Sequence, residues 1–220
     1  TDSRLIWWTL SLQDEEMLDQ RPNILLIMTD QQRGDCLGIE GHPVLETPYL
    51  DWIAASGIRF NHAYSACPIC LPARRTVLTG RKPSGHGVFV NYREAPLPFP
   101  TLAGELGQAG YQTHLIGKSH WGPDPEEVGF ETVQRAPGPT AGMENDYQDF
   151  LKANGIRGAR ASQAHGIWNN SYTARPWHLE ERLHFSNWVA DQFLEFLESR
   201  DTNRPFFSLL NFIHPPQPLT

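Results

Sequence analysis

Residues 23–30 read Asn23-Ile24-Leu25-Leu26-Ile27-Met28-Thr29-Asp30, an unbroken apolar run that ends on a hydroxyl and a carboxylate. A run without alternation of faces predicts a strand buried on both sides, as in a parallel sheet. Outward from it, Tyr111 to Ile116 and Phe206 to Ile213 read as further apolar strands, and Ile58-Arg59-Phe60 as a short one. Helices fall between them. Pro48 near the start of Tyr49 to Ser56, with Gly57 at its close, carries the usual asymmetry of helix ends. Leu71 to Thr79 has Pro72 in its first turn, and Thr101 to Ala109 has Thr101 as N-cap and Gly110 just past its end. Val189, Phe193, Phe196 and Leu197 recur at helical spacing within Asn187 to Arg200. Residues 123–176 are rich in Gly, Pro and Asn and predict surface excursions, with one helix near Asn145 to Ala153. Strands alternating with helices give an α/β fold with a largely parallel sheet flanked by helices.

The 220 residues suffice for one large domain, and 40% apolar content allows a packed core. A net charge of −7 argues against a nucleic-acid partner, which favours a basic excess. No run reaches the roughly 18 apolar residues of a membrane span. Residues 1–20 read as an N-terminal extension: a short apolar block, Leu5 to Leu12, then an acidic stretch. No basic segment or small-residue cleavage site brackets that block, so it is not read as a secretory signal. Three cysteines cannot make a disulfide framework.

In open α/β sheets, sites form beyond the carboxyl ends of the strands. Those ends carry Asp30-Gln31-Gln32, Gly117-Lys118-Ser119-His120 and His214-Pro215-Pro216. The other concentration of chemistry is Cys67-Pro68-Ile69-Cys70-Leu71-Pro72-Ala73-Arg74, followed by Leu78-Thr79-Gly80-Arg81. Cys67 and Cys70 alone would allow a redox pair or half of a zinc site. The spacing Cys70-x-Pro72-x-Arg74 resembles instead the signature of the type I, formylglycine-dependent sulfatases of the alkaline phosphatase superfamily. Arg21-Pro22-Asn23-Ile24 to Asp30, Thr47-Pro48-Tyr49-Leu50-Asp51, Ser56-Gly57-Ile58-Arg59-Phe60 and Gly117-Lys118-Ser119-His120 resemble the family's other motifs in the same order. Pro205 to Leu219 is similar to its later strand.

The resemblance implies a sulfuric ester hydrolase with an alkaline-phosphatase-like core, residues 21–220 forming the N-terminal part of a catalytic domain whose remainder is expected to be absent. It implies that a formylglycine-generating enzyme oxidises Cys70, the cysteine with Pro at +2 and Arg at +4, to an aldehyde. The hydrated aldehyde then attacks sulfur, and its second hydroxyl lets sulfate leave. Asp30, Gln31 and the modified Cys70 are implied ligands of Ca2+ (or Mg2+ or Mn2+), consistent with hard oxygen donors. Arg74, Lys118, His120 and His214 are implied catalytic residues that hold the sulfate and assist the leaving oxygen. The implied substrate is a small-molecule or carbohydrate sulfate ester.

This chain departs from the family pattern in three places. Gln31 stands where many relatives have Asp, Ala73 where Ser is commonest, and Pro216 where His is expected, with His214 two residues earlier. The readings left open are a phosphonate or phosphate monoester hydrolase of the same superfamily and a non-catalytic homologue that binds anions or sugars.

Overall fold

The computed structural model describes residues 21–91, 96–136, 145–156 and 174–214. The 1–20 extension and Pro216 lie outside them. The described residues include four strands, β1 (Ile24–Met28), β2 (Gln112–Gly117), β3 (Thr132–Arg135) and β4 (Phe206–Asn211). They form one sheet in the order β1-β4-β2-β3 with every pairing parallel. The register sets Leu26 and Leu115 on either side of Leu209. Because all strands run the same way, their carboxyl ends meet at one edge.

The helices are α1 (Pro48–Ser56), α2 (Cys70–Thr79), α3 (Pro83–His86), α4 (Leu102–Gln108), α5 (Asp146–Ala153) and α6 (Phe185–Ser199). Alternation along β4 divides the core. Phe207 and Leu209 join Leu78, Ala103 and Trp121 on the face covered by α2 and α4. Leu210 joins Tyr147, Leu151, Trp188 and Val189 on the face covered by α5 and α6. The caps at Thr101 and Asn145 form as local chemistry dictates: each side chain accepts a hydrogen bond from the backbone three residues on.

Three expectations are corrected. Strand β1 is not buried on both faces: Leu25 and Ile27 are 43% and 50% exposed. Ile24, Leu26 and Met28 pack on the α2/α4 core, but the α5/α6 core does not extend across to β1. Ile58 to Phe60 is exposed irregular chain rather than a strand. Within 123–176, β3 pairs with β2 from His114 to Gly117, so that region is not all excursion. A four-residue strand holding Gln134 and Arg135 has no apolar run to announce it.

Candidate active site

Asp30 follows β1 and is buried. Its backbone N–H donates to the His214 carbonyl (3.2 Å), and Phe212 N–H donates to the Met28 carbonyl (2.8 Å), so the β1/β4 pairing carries on past the strand ends. Across the sheet, Lys118 follows β2. Its ammonium donates to Asp30 Oδ2, forming an ion pair between side chains 16% and 8% exposed.

Helix α2 supplies the other two groups. Cys70 is its first residue, and Gly80 closes it in the left-handed region at φ 66°. The free N–H groups of a helix start form a positive field that favours an anion. Ile69, the N-cap, has no side-chain oxygen to offer, and Asn91 Oδ1 accepts from Leu71 N–H at 2.9 Å in its place. Cys70 Sγ lies 3.9 Å from Asp30 Oδ1, whereas Cys67 Sγ lies 4.0 Å from the Phe89 carbonyl. The two cysteines therefore meet different partners. Cys36 and Cys67 are half-buried rather than enclosed in the core.

Arg74, one turn into α2, is 4% exposed. Nη2 reaches Asp30 Oδ2 at 3.5 Å and Nη1 donates to the Lys118 carbonyl at 3.2 Å. Two cations thus face one carboxylate, a locally positive site in a chain of net charge −7. His120 completes the group. Its Nδ1 is buried with no hydrogen-bond partner among the described residues. Burial, then the Lys118 and Arg74 charges, push its imidazole down to about 4, with Asp30 opposing. Gln31 (φ 53°) and His120 (φ 52°) both sit in the left-handed region, the non-glycine residues that do so among those described. Strained backbone of this kind collects at functional sites.

The structure thus brings Asp30, Cys70, Arg74, Lys118 and His120 together. Gln31 is adjacent but exposed. His214 joins the site through its main chain. Its ring faces elsewhere: Nδ1 is 3.4 Å from Ser186 Oγ, and the ring packs on His184 at 4.7 Å between centroids. Burial, then His184, push it down to about 4. As for a divalent cation, Asp30 is a suitable buried oxygen donor, but the described residues hold no cluster of three His, Cys, Asp or Glu side chains. They offer such an ion part of a ligand shell and do not enclose it.

Sequence reasoning missed three supports. Arg75 is fully buried and donates to the Trp121 carbonyl and the Pro96 carbonyl, both at 2.7 Å, fastening α2 to the chain just after His120. Asn91 caps α2. Asn211 holds the chain at Lys118, with its Nδ2 2.7 Å from the Lys118 carbonyl. Arg75 follows the signature arginine directly, and the two asparagines carry no local pattern that would single them out.

A thiol at a helix start thus stands beside a carboxylate and two cations on the carboxyl edge of a parallel sheet, the edge where open α/β sheets place their sites. The chain belongs to the sulfatase family, whose profile matches residues 22–220. It is 36% identical over 223 residues to an arylsulfatase of Clostridium perfringens, covering 90% of this chain and 44% of that protein. It is 30% identical over 190 residues to an N-acetylglucosamine-6-O-sulfatase of Bacteroides thetaiotaomicron, covering 85% and 29%. Among solved structures, the phosphonate monoester hydrolase of Agrobacterium radiobacter superposes with a TM-score of 0.72 at 27% identity, covering 90% of this chain and 43% of that one. The chain spans less than half the length of these relatives.

Proposed function

We propose that this chain is part of the catalytic domain of an enzyme that hydrolyses sulfate monoesters, with Cys70 as the precursor of the nucleophile. The observation that carries the reading is the meeting of Cys70 Sγ with Asp30 Oδ1 at 3.9 Å, next to the Arg74 and Lys118 cations. Oxidised to formylglycine by a formylglycine-generating enzyme, Cys70 supplies a hydrated aldehyde to attack sulfur. Arg74 and Lys118 hold the sulfate oxygens and offset charge that grows toward the transition state. His120, which lies beside these two cations, is assigned the hydrogen bond to the ester or leaving oxygen. Asp30 orients both cations, and with Gln31 it offers oxygen donors to a divalent cation such as Ca2+. Such an ion, when bound, would withdraw charge from the sulfate and favour an ionised nucleophile. His214 contributes through its backbone to Asp30 rather than by touching substrate.

Sulfated carbohydrates are the favoured substrate class, in keeping with the N-acetylglucosamine-6-O-sulfatase relative. The phosphonate monoester hydrolase superposition favours a second reading, in which the same site cleaves phosphonate monoesters. The deciding experiment is the mass of the tryptic peptide Phe60 to Arg74 after co-expression with an active formylglycine-generating enzyme. It is paired with parallel assays of aryl sulfate and aryl phosphonate esters on the complete protein. An aldehyde at Cys70 with faster sulfate-ester turnover is expected. An unmodified thiol would overturn the nucleophile assignment, and faster phosphonate turnover would select the second reading.

A further inference from the structure

Asn211, the last residue of β4, is fully buried. It grips residue 118 at both main-chain groups. The Lys118 N–H donates to the Asn211 carbonyl at 3.1 Å, and Asn211 Nδ2 donates to the Lys118 carbonyl at 2.7 Å. The same Lys118 carbonyl accepts Arg74 Nη1 at 3.2 Å. Gly117 makes the approach possible: it adopts φ 97°, and a Cβ there would collide with the Asn211 carbonyl oxygen.

The other end of the Asn211 amide argues against a packing role. Oδ1 is buried with no hydrogen-bond partner among the described residues. Asn211 lines a small cavity with Leu26, Met28, Leu102, Trp121 and Arg74. An unsatisfied amide oxygen in such surroundings is unfavourable, and an apolar side chain of similar size would avoid that penalty. What an apolar residue could not do is donate to the Lys118 carbonyl.

We infer that Asn211 is a positioning residue: it clamps the backbone of Lys118 so that the ammonium is delivered to Asp30 beside Cys70. The inference rests on the proposed role of Lys118 in ester hydrolysis. Misplacing a catalytic group by about 1 Å lowers rates substantially, up to about a hundredfold.

Two measurements on the complete protein test it. In a double-mutant cycle on aryl sulfate, Asn211→Ala is expected to lower kcat/KM on the order of tenfold in the wild-type background and under about twofold in Lys118→Ala. In the folded protein, reductive methylation of Lys118, followed by peptide mass spectrometry, is expected to quicken several-fold in Asn211→Ala, with the exposed Lys152 unchanged. Asn211→Leu, an apolar side chain of similar size that removes the donor, serves both measurements if the alanine variant does not fold. A loss of equal size in both backgrounds, or unchanged labelling of Lys118, overturns the inference. If the wild-type protein cleaves no ester, the hydrolase reading fails separately, and the labelling result alone decides whether Asn211 holds Lys118.

Discussion

The Arg74 guanidinium and the Asp30 carboxylate meet at 3.5 Å although 44 residues separate them in the chain. Both are almost fully buried, and Lys118 shares the same carboxylate oxygen. Removing one member of a buried ionic group is costly because the others stay buried and unbalanced. Asp30→Asn leaves two adjacent cations, so it should destabilise by about 3 kcal/mol. Thermal melts of the complete protein check this. Arg74→Lys keeps the charge but has a single nitrogen for two partners, Asp30 and the Lys118 carbonyl. Steady-state kinetics on aryl sulfate should show kcat/KM lowered by at least about tenfold.

The two cysteines of the signature segment should behave differently. Cys70→Ala should abolish turnover. Cys67→Ala, whose thiol meets the Phe89 carbonyl rather than Asp30, should leave turnover within about twofold. Assays of both variants after co-expression with a formylglycine-generating enzyme make the comparison, and equal losses would remove the assignment.

Gly117 and Gly80 both have positive φ, but their surroundings differ. At Gly117 an added Cβ collides with the Asn211 backbone, whereas at Gly80 it would meet nothing within 4 Å. Gly80→Ala should therefore carry only the left-handed penalty of about 1–2 kcal/mol. Gly117→Ala must also push apart β2 and β4 and should cost roughly 3 kcal/mol or more. Melting temperatures of the two variants test the order.

Acid should weaken the fold through buried histidines. His114 on β2 stacks on Phe196 with ring centroids 4.2 Å apart, and its Nδ1 meets Thr132 Oγ1. Burial pushes its imidazole from the ordinary 6.5 down to about 4. Between these values the unfolded chain binds a proton that the folded chain refuses. Stability is therefore full above about pH 6.5 and falls as pH drops toward about 4, by on the order of 3 kcal/mol at most. Melting temperatures across that window should fall less steeply in His114→Gln than in the wild type. His120 and His214, shifted the same way, keep the slope from vanishing.

The elements carried by short-range signals were legible from the residues. Pro72 sits in the first turn of α2, Thr101 caps α4, and apolar runs mark β2 and β4 as strands. The resemblance of Cys70-x-Pro72-x-Arg74 to the sulfatase signature, rather than the residues alone, distinguished Cys70 from Cys67. Strand β3 escaped because pairing with β2, rather than apolar content, holds it in the sheet.

Local patterns of turn chemistry, capping and hydrophobic period were enough to define a parallel α/β sheet with polar strand ends, because each acts within a few residues. The strand order, the exposure of Leu25 and Ile27, the turning of the His214 ring toward Ser186 and the grip of Asn211 on Lys118 could emerge only on folding. They depend on which distant segments come into register, and the buried Asn211 amide gains its partner from Lys118, 93 residues away, rather than from its own neighbours.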